Sequence, residues 1–141
     1  MTKLTIEYSD SPAEHELRAL IDGLVAYNST HAPSEQWQSV VLFLRNSETK
    51  VVGGLNGMTH WGWLFVKHLW VHETYQRKGF GSELLKRTEA VAKELACANA
   101  YLDTFDFQAL PFYKKNGYRV YGQLEDFPSG HTRYFLEKRG L

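Results

Sequence analysis

The stretch Gln76-Arg77-Lys78-Gly79-Phe80-Gly81-Ser82 concentrates the residue types that could do chemistry. It follows an apolar, strand-like run ending Leu69-Trp70-Val71 and leads into a helical pattern from Gly79 onward. Such a junction suits an anion. The first N–H groups of a helix lack partners inside it, and the helix dipole places partial positive charge there. Gly79 and Gly81 carry no Cβ, so a phosphate can come close to the backbone, and Arg77 and Lys78 add charge at the same place. The plainer reading is an ordinary βα loop with glycines for turn geometry. Two familiar phosphate loops do not fit. A dinucleotide fingerprint needs a third glycine where Leu84 stands, and a P-loop ends Gly-Lys-Ser/Thr where this turn ends Gly81-Ser82-Glu83.

A second constellation, Phe112-Tyr113-Lys114-Lys115-Asn116-Gly117-Tyr118, lies downstream. Together the two motifs resemble the GNAT superfamily of acetyl-CoA-dependent N-acetyltransferases. Gln76 to Gly81 matches that family's Q/R-x-x-G-x-G/A loop, Leu69-Trp70-Val71 its L-x-V strand, and Phe112 to Tyr118 its second motif. The resemblance covers residues 51 to about 124. It implies that backbone amides from Arg77 to Ser82 grip the pyrophosphate of acetyl-CoA, the co-substrate, with no metal involved. It implies too that the backbone of Leu69–Val71 pairs with the pantetheine arm, and that this strand splays from its neighbour at Tyr101–Phe105. One departure stands out: many members carry asparagine seven residues before the tyrosine, and Asp106 is there. Contacts from that turn then fall to Gln108, alongside Phe112, while Lys114 and Lys115 are either phosphate ligands or a solvated helix face.

Acetyl transfer to an amine needs a neutral amine, a stabilised oxyanion and a protonated leaving thiolate. Tyr113 occupies the family's position for a general acid toward the sulfur, and a phenol can donate while uncharged at neutral pH. A backbone N–H of the 69–71 strand would meet the oxyanion. The base is open. His68 is preferred because an unperturbed imidazole titrates at about 6.5; Asp103 and Glu73 are alternatives, and no base is needed if the amine sheds its proton on binding. Cys97, in Glu94-Leu95-Ala96-Cys97-Ala98, reads as packing rather than as a nucleophile.

For the acceptor, the family places a site between the first helix–loop region, here residues 27–36, and the last strands, here 125–131. Glu125, Asp126 and Asp103 could draw a cationic amine, and Trp61, Trp63, Trp70 and Tyr8 could form an aromatic wall or simply core. The run Gly57-Met58-Thr59-His60-Trp61-Gly62-Trp63 suggests a shaped surface. A small-molecule primary amine is the expected acceptor, attacked directly in a ternary complex. A protein amine, or a non-catalytic acyl-CoA-binding module, is the alternative.

The elements that must position these groups read as β, α, β, β, β, α, β, α, β, β. Leu4, Ile6 and Tyr8 alternate as a strand. Ser11-Pro12-Ala13-Glu14 opens a helix to about Tyr27, with Ser11 and Glu14 spaced as a capping box. Val40–Leu44 and Val51–Leu55 form a hairpin, and residues 61–71 form one long strand. Residues 79–96 are the clearest helix, Leu84, Leu85, Thr88, Val91, Ala92 and Leu95 sharing a face. A strand at residues 100–105, a short helix at 108–115 and an antiparallel pair, 118–124 and 132–136, complete the list. The expectation is an α/β (α+β) single-domain GNAT-like fold: a mixed, mostly antiparallel sheet of about seven strands, flanked by helices, with splayed central strands.

Composition fits. The chain has 141 residues, 43% hydrophobic and 14% aromatic, enough for a packed core. Sixteen basic residues balance sixteen acidic ones, so no global field draws it to nucleic acid. No apolar run approaches the roughly 20 residues that cross a bilayer. One cysteine, no internal disulfide and no signal-like N-terminus make a cytoplasmic protein the expectation. The run Arg133-Tyr134-Phe135-Leu136 reads either as a homodimer strand or as an ordinary core strand.

Overall fold

The computed structural model describes residues 2–141, in two compact units, one ending at Ser34 and the other running Glu35–Leu141. In the first unit α1 spans Glu14–Ser29, capped at Ala13 with no side-chain hydrogen bond. The capping box expected at Ser11 is not made. Glu14 and Glu16 instead fill the first turn, where the dipole favours negative charge, and Ser11 bonds to Asp10 at 3.4 Å. Residues 4–8 form no strand either. Alternation gives a strand only where a neighbouring chain completes the ladder, and an unpaired segment has none.

The second unit is a six-stranded sheet flanked by helices. Its strands are β1 (Gln38–Arg45), β2 (Val51–His60), β3 (Trp63–Val71), β4 (Asn99–Phe105), β5 (Arg119–Glu125) and β6 (Thr132–Arg139), in the order β1-β2-β3-β4-β6-β5. Helix α2 (Phe80–Glu94) crosses from β3 to β4, which therefore pair in parallel; α3 (Leu110–Lys115) precedes β5. Every other pairing is antiparallel. Residues 133–136 lie in β6, whose two edges are taken by β4 and β5, and Leu136 is fully buried.

β2 runs to His60, five residues beyond the expected end, and the expected strand start at Trp61 is a turn. Trp61 (φ 47°) and Gly62 (φ 77°) both have left-handed backbone, the two-residue turn that matches strand twist. Trp-Gly carries a weaker hairpin signal than Asn-Gly, which is why the sequence reads as one run.

Leu55, Leu64, Val66, Leu85, Ala92, Ala100, Leu102 and Leu136 form the core between the sheet and the α2 and α3 side, joined by Tyr113, Tyr118 and Cys97. α2 is tied down by a buried polar knot. Glu89 accepts from the Tyr118 hydroxyl at 2.7 Å and from Lys138 Nζ at 2.9 Å. Both carboxylate oxygens are thus satisfied, as burial of a charge requires.

Candidate active site

The site begins with a fault in the sheet. Asn56 pairs with His68 and Gly57 with Val66, which leaves Lys67 as an extra residue on β3. Such a bulge bends the strand that carries it. β3 and β4 are paired only from Trp63/Asn99 to Val66/Leu102; beyond that, Leu69–Val71 and Asp103–Phe105 have no mutual ladder. The expected splay between these strands is present, and it starts at the bulge.

A cavity of about 760 Å³ opens along this gap. Leu69, Trp70 and Val71 form one wall, and Gln108, Phe112 and Tyr113 another. The turn residues Gln76, Arg77, Gly79, Phe80, Gly81 and Ser82 close one end. Most of the residues expected to hold the co-substrate therefore line one space. Lys78 does not. Arg77 has a positive φ of 62° and Gly79 one of 86°, and the turn between them leaves Lys78 exposed in solvent. Lys115 lines the cavity where Lys114 does not, so the basic charge there comes from Arg77, Lys115 and the helix terminus.

The two glycines also answer to the protein's own geometry. A Cβ on Gly79 would meet nothing within 4 Å; its need is the left-handed backbone that caps α2. Gly81 is small because Phe112 is packed against it. The first turn of α2 has no side-chain cap, so its amides remain donors for a ligand. Ser82 accepts from Asn116 Nδ2 at 3.4 Å, and Asn116 also donates to the Phe112 carbonyl at 2.9 Å, fastening the end of α3 to the start of α2. Gln76 Nε2 donates to the Val71 carbonyl at 2.7 Å, so that carbonyl is already engaged. Gln108 Oε1 accepts from Thr104 Oγ1 at 3.1 Å and from the Phe105 amide at 3.2 Å, which holds the divergent end of β4.

Tyr113 is buried, and burial, followed by the negative charge of Asp103, pushes its phenol up to about 12. It is therefore a neutral donor at physiological pH. Its hydroxyl bonds to no other group among the described residues, and no buried side-chain polar atom lacks a partner, so that oxygen opens into the cavity it lines.

The expected bases are placed otherwise. Asp103 stands beside the gap but is paired with Arg133 at 2.8 Å. The Arg133 guanidinium lies over the rings of Phe105, Phe127 and Phe135 at 5.5, 4.8 and 5.2 Å. His68 is exposed, its Nδ1 accepting from Asn56 at 3.2 Å. Neither lines the cavity. Asp106, standing where the family has asparagine, binds His131 Nδ1 at 2.9 Å and the Thr132 amide at 3.0 Å, so it braces the start of β6. Tyr75 and Phe107, which the motifs do not flag, also line the cavity. Cys97 is buried in the core, its thiol pushed up by burial, away from the cavity.

Comparison with known proteins gives a consistent picture. A sequence model of the acetyltransferase (GNAT) family matches residues 6–118. The chain is 35% identical over 133 residues to acetyltransferase Atu2258 of Agrobacterium fabrum, covering 94% of this chain and 95% of that one. Over 90 residues it is 41% identical to blasticidin-S acetyltransferase of Streptomyces morookaense, covering 63% of this chain and 66% of the relative. A crystal structure of an acetyltransferase from Bacillus cereus superposes with a TM-score of 0.86 at 37% identity, covering 94% of this chain and 97% of that one.

Proposed function

Because the chain belongs to the acetyltransferase (GNAT) family, we propose that it transfers the acetyl group of acetyl-CoA to a primary amine of a small molecule, directly and within a ternary complex. The observation that carries this reading is the continuity of one cavity, with unsatisfied helix amides at one end and the Tyr113 hydroxyl inside it. The chemistry of the wall fits a pyrophosphate joined to an amide-bearing chain. Arg77, Lys115 and the α2 amides suit the phosphates, and the unpaired edge of β3 suits the amides. Acetyl-CoA supplies an activated thioester. Tyr113 stays protonated and is available to hydrogen-bond the departing sulfur. An acyl-enzyme is not called for: the cavity contains no cysteine, and its one serine, Ser82, accepts from Asn116. The small-molecule acceptor rests on the similarity to an enzyme named for blasticidin S.

Calorimetric titration with acetyl-CoA, with dephospho-CoA alongside, tests the first half. Micromolar affinity that weakens as phosphates are removed is expected, and absence of binding overturns the reading. Thiol release with blasticidin S, streptothricin and a peptide with a free N-terminus tests the second half. A rate confined to the peptide would replace the small amine by a protein one.

A further inference from the structure

The face of the sheet opposite α2 carries a hydrogen-bonded chain of three side chains from three separate segments. Glu35 Oε1 lies 3.0 Å from His60 Nδ1, and His60 Nε2 lies 2.7 Å from the Tyr101 hydroxyl. A carboxylate can only accept, so Nδ1 carries the proton; the neutral ring then leaves Nε2 bare, and the tyrosine must donate to it. Donor and acceptor are thereby fixed along the whole chain. The His60 side chain is 20% exposed and that of Glu35 40%, so the Glu35 end is open to water. Tyr101 is stacked on Phe65 at 4.7 Å and meets the edge of Trp63 at 6.0 Å.

Its place in the sheet gives this chain a use. Tyr101 pairs with Phe65, one rung before the β3–β4 ladder ends at Val66 and Leu102. Leu64, Val66, Ala100 and Leu102 belong to the core with Tyr113, and side chains alternate along a strand, so Tyr101 and Phe65 lie on the other face. Tyr113 thus meets the gap from the core face, and Tyr101 lies on the opposite face, one rung short of it. Acyl transfer to an amine can use two such groups: one for the leaving sulfur, the other for the proton the nitrogen sheds.

We propose that Tyr101 receives that proton and passes its own to His60, with Glu35 as the carboxylate that holds the resulting imidazolium. The assignment rests on the acetyltransferase reading above. As the amine nitrogen bonds to the thioester carbonyl carbon, the C–S bond breaks and the sulfur takes the phenolic proton of Tyr113, which solvent then replaces. The proton lost by the nitrogen arrives at the Tyr101 oxygen while the phenolic proton moves to Nε2. His60 returns its proton to solvent through Tyr101 or beside Glu35. Tyr101 touches the moving proton; His60 and Glu35 act through it and are positioning residues. The other titratable groups that bear on the chain are Tyr121, whose phenolate, once formed, would oppose that of Tyr101, and Arg139, over the Trp63 ring at 5.0 Å.

Two measurements test this separately. In the free protein, ¹⁵N NMR of the imidazoles, with His60 assigned by its loss in His60→Gln, is expected to show a protonated Nδ1 and a bare Nε2; the opposite tautomer overturns the relay whatever the activity. In turnover with acetyl-CoA and the fastest acceptor of the panel, Tyr101→Phe is expected to lower kcat about 10²-fold. Its acetyl-CoA affinity stays within twofold, because the ring stack on Phe65 is kept. Glu35→Gln is expected to change the shape of the pH–rate profile, since the side chain that faces Nδ1 is then uncharged at every pH. A rate lowered equally at every pH would reduce Glu35 to scaffolding and overturn its role. Wild-type rates in Tyr101→Phe overturn the relay and leave the acetyltransferase reading intact, whereas failure of the wild type to bind acetyl-CoA removes both.

Discussion

The Cβ that Gly81 lacks would stand 3.3 Å from Cε1 of Phe112 and 3.4 Å from its Cζ. The turn at the start of α2 and the wall contributed by α3 are therefore in contact through one missing methyl group. Gly81→Val is expected to displace the ring and weaken acetyl-CoA binding by at least tenfold, an overpacking cost on the order of 1–3 kcal/mol. Gly81→Ala should fall between, since a ring can yield by a few tenths of an ångström. Unchanged affinity in the valine variant would show that the cleft does not depend on this contact.

Among the three basic residues near the turn, two line the cavity and one does not. Arg77→Ala and Lys115→Ala are each expected to weaken acetyl-CoA by about 1–2 kcal/mol, with the loss shrinking as salt is raised. Lys78→Ala should cost no more than a few tenths. Calorimetry at low and high salt separates the three, and equal effects at all of them would mean that diffuse charge, not placement, attracts the ligand.

Tyr113→Phe should lower kcat on the order of 10²-fold with acetyl-CoA affinity retained. Unchanged turnover would remove the hydroxyl from the reaction.

The same residue has a thermodynamic signature. Its folded-state value, about 12, lies above the ordinary phenol value of 10.0. A raised value means that the folded state holds the proton more tightly, so this stability is complete below about pH 10 and is lost between about pH 10 and pH 12. The loss amounts to about 2–3 kcal/mol. Urea unfolding at pH 9 and pH 11.5 should show a smaller fall for Tyr113→Phe than for wild type. A residual fall is expected from Tyr118, which burial and the Glu89 charge also push up.

Tyr118→Phe removes one of two donors to the buried carboxylate of Glu89. A destabilisation of about 1–3 kcal/mol is expected, with acetyl-CoA affinity unaffected in the folded protein. A neutral result would show that Lys138 alone satisfies Glu89.

Much of this site is legible in the chain because its parts are local. The turn from Gln76 to Ser82, the strand ending at Val71 and the helix bearing Tyr113 are short, contiguous patterns, and each falls where the sequence places it. What the sequence does not reveal is pairing between distant side chains. His68, the preferred base, and Asp103, an alternative, carry no sign in the sequence of the Asn56 and Arg133 that the structure places on them. His60 looks like part of an odd turn until Glu35 and Tyr101 are brought to its two nitrogens from 25 residues before and 41 after. The bulge at Lys67 is silent as well, for it is a property of register between two strands and not of either one. At the N-terminus the alternation of Leu4, Ile6 and Tyr8 misleads for the converse reason: a local pattern has no effect without a neighbour to pair with.

Four rungs, Trp63 to Val66 against Asn99 to Leu102, are the strand pairing that joins β1, β2 and β3 to β4, β6 and β5. Seen mechanically, the sheet is two leaves on a short hinge, and the line along which it would tear first is the line the co-substrate would cover. Occupancy should then appear as stiffness: amide exchange on Leu69–Val71 and Asp103–Phe105 slows together on addition of acetyl-CoA, while the outer strands β1 and β5 keep the rates they had.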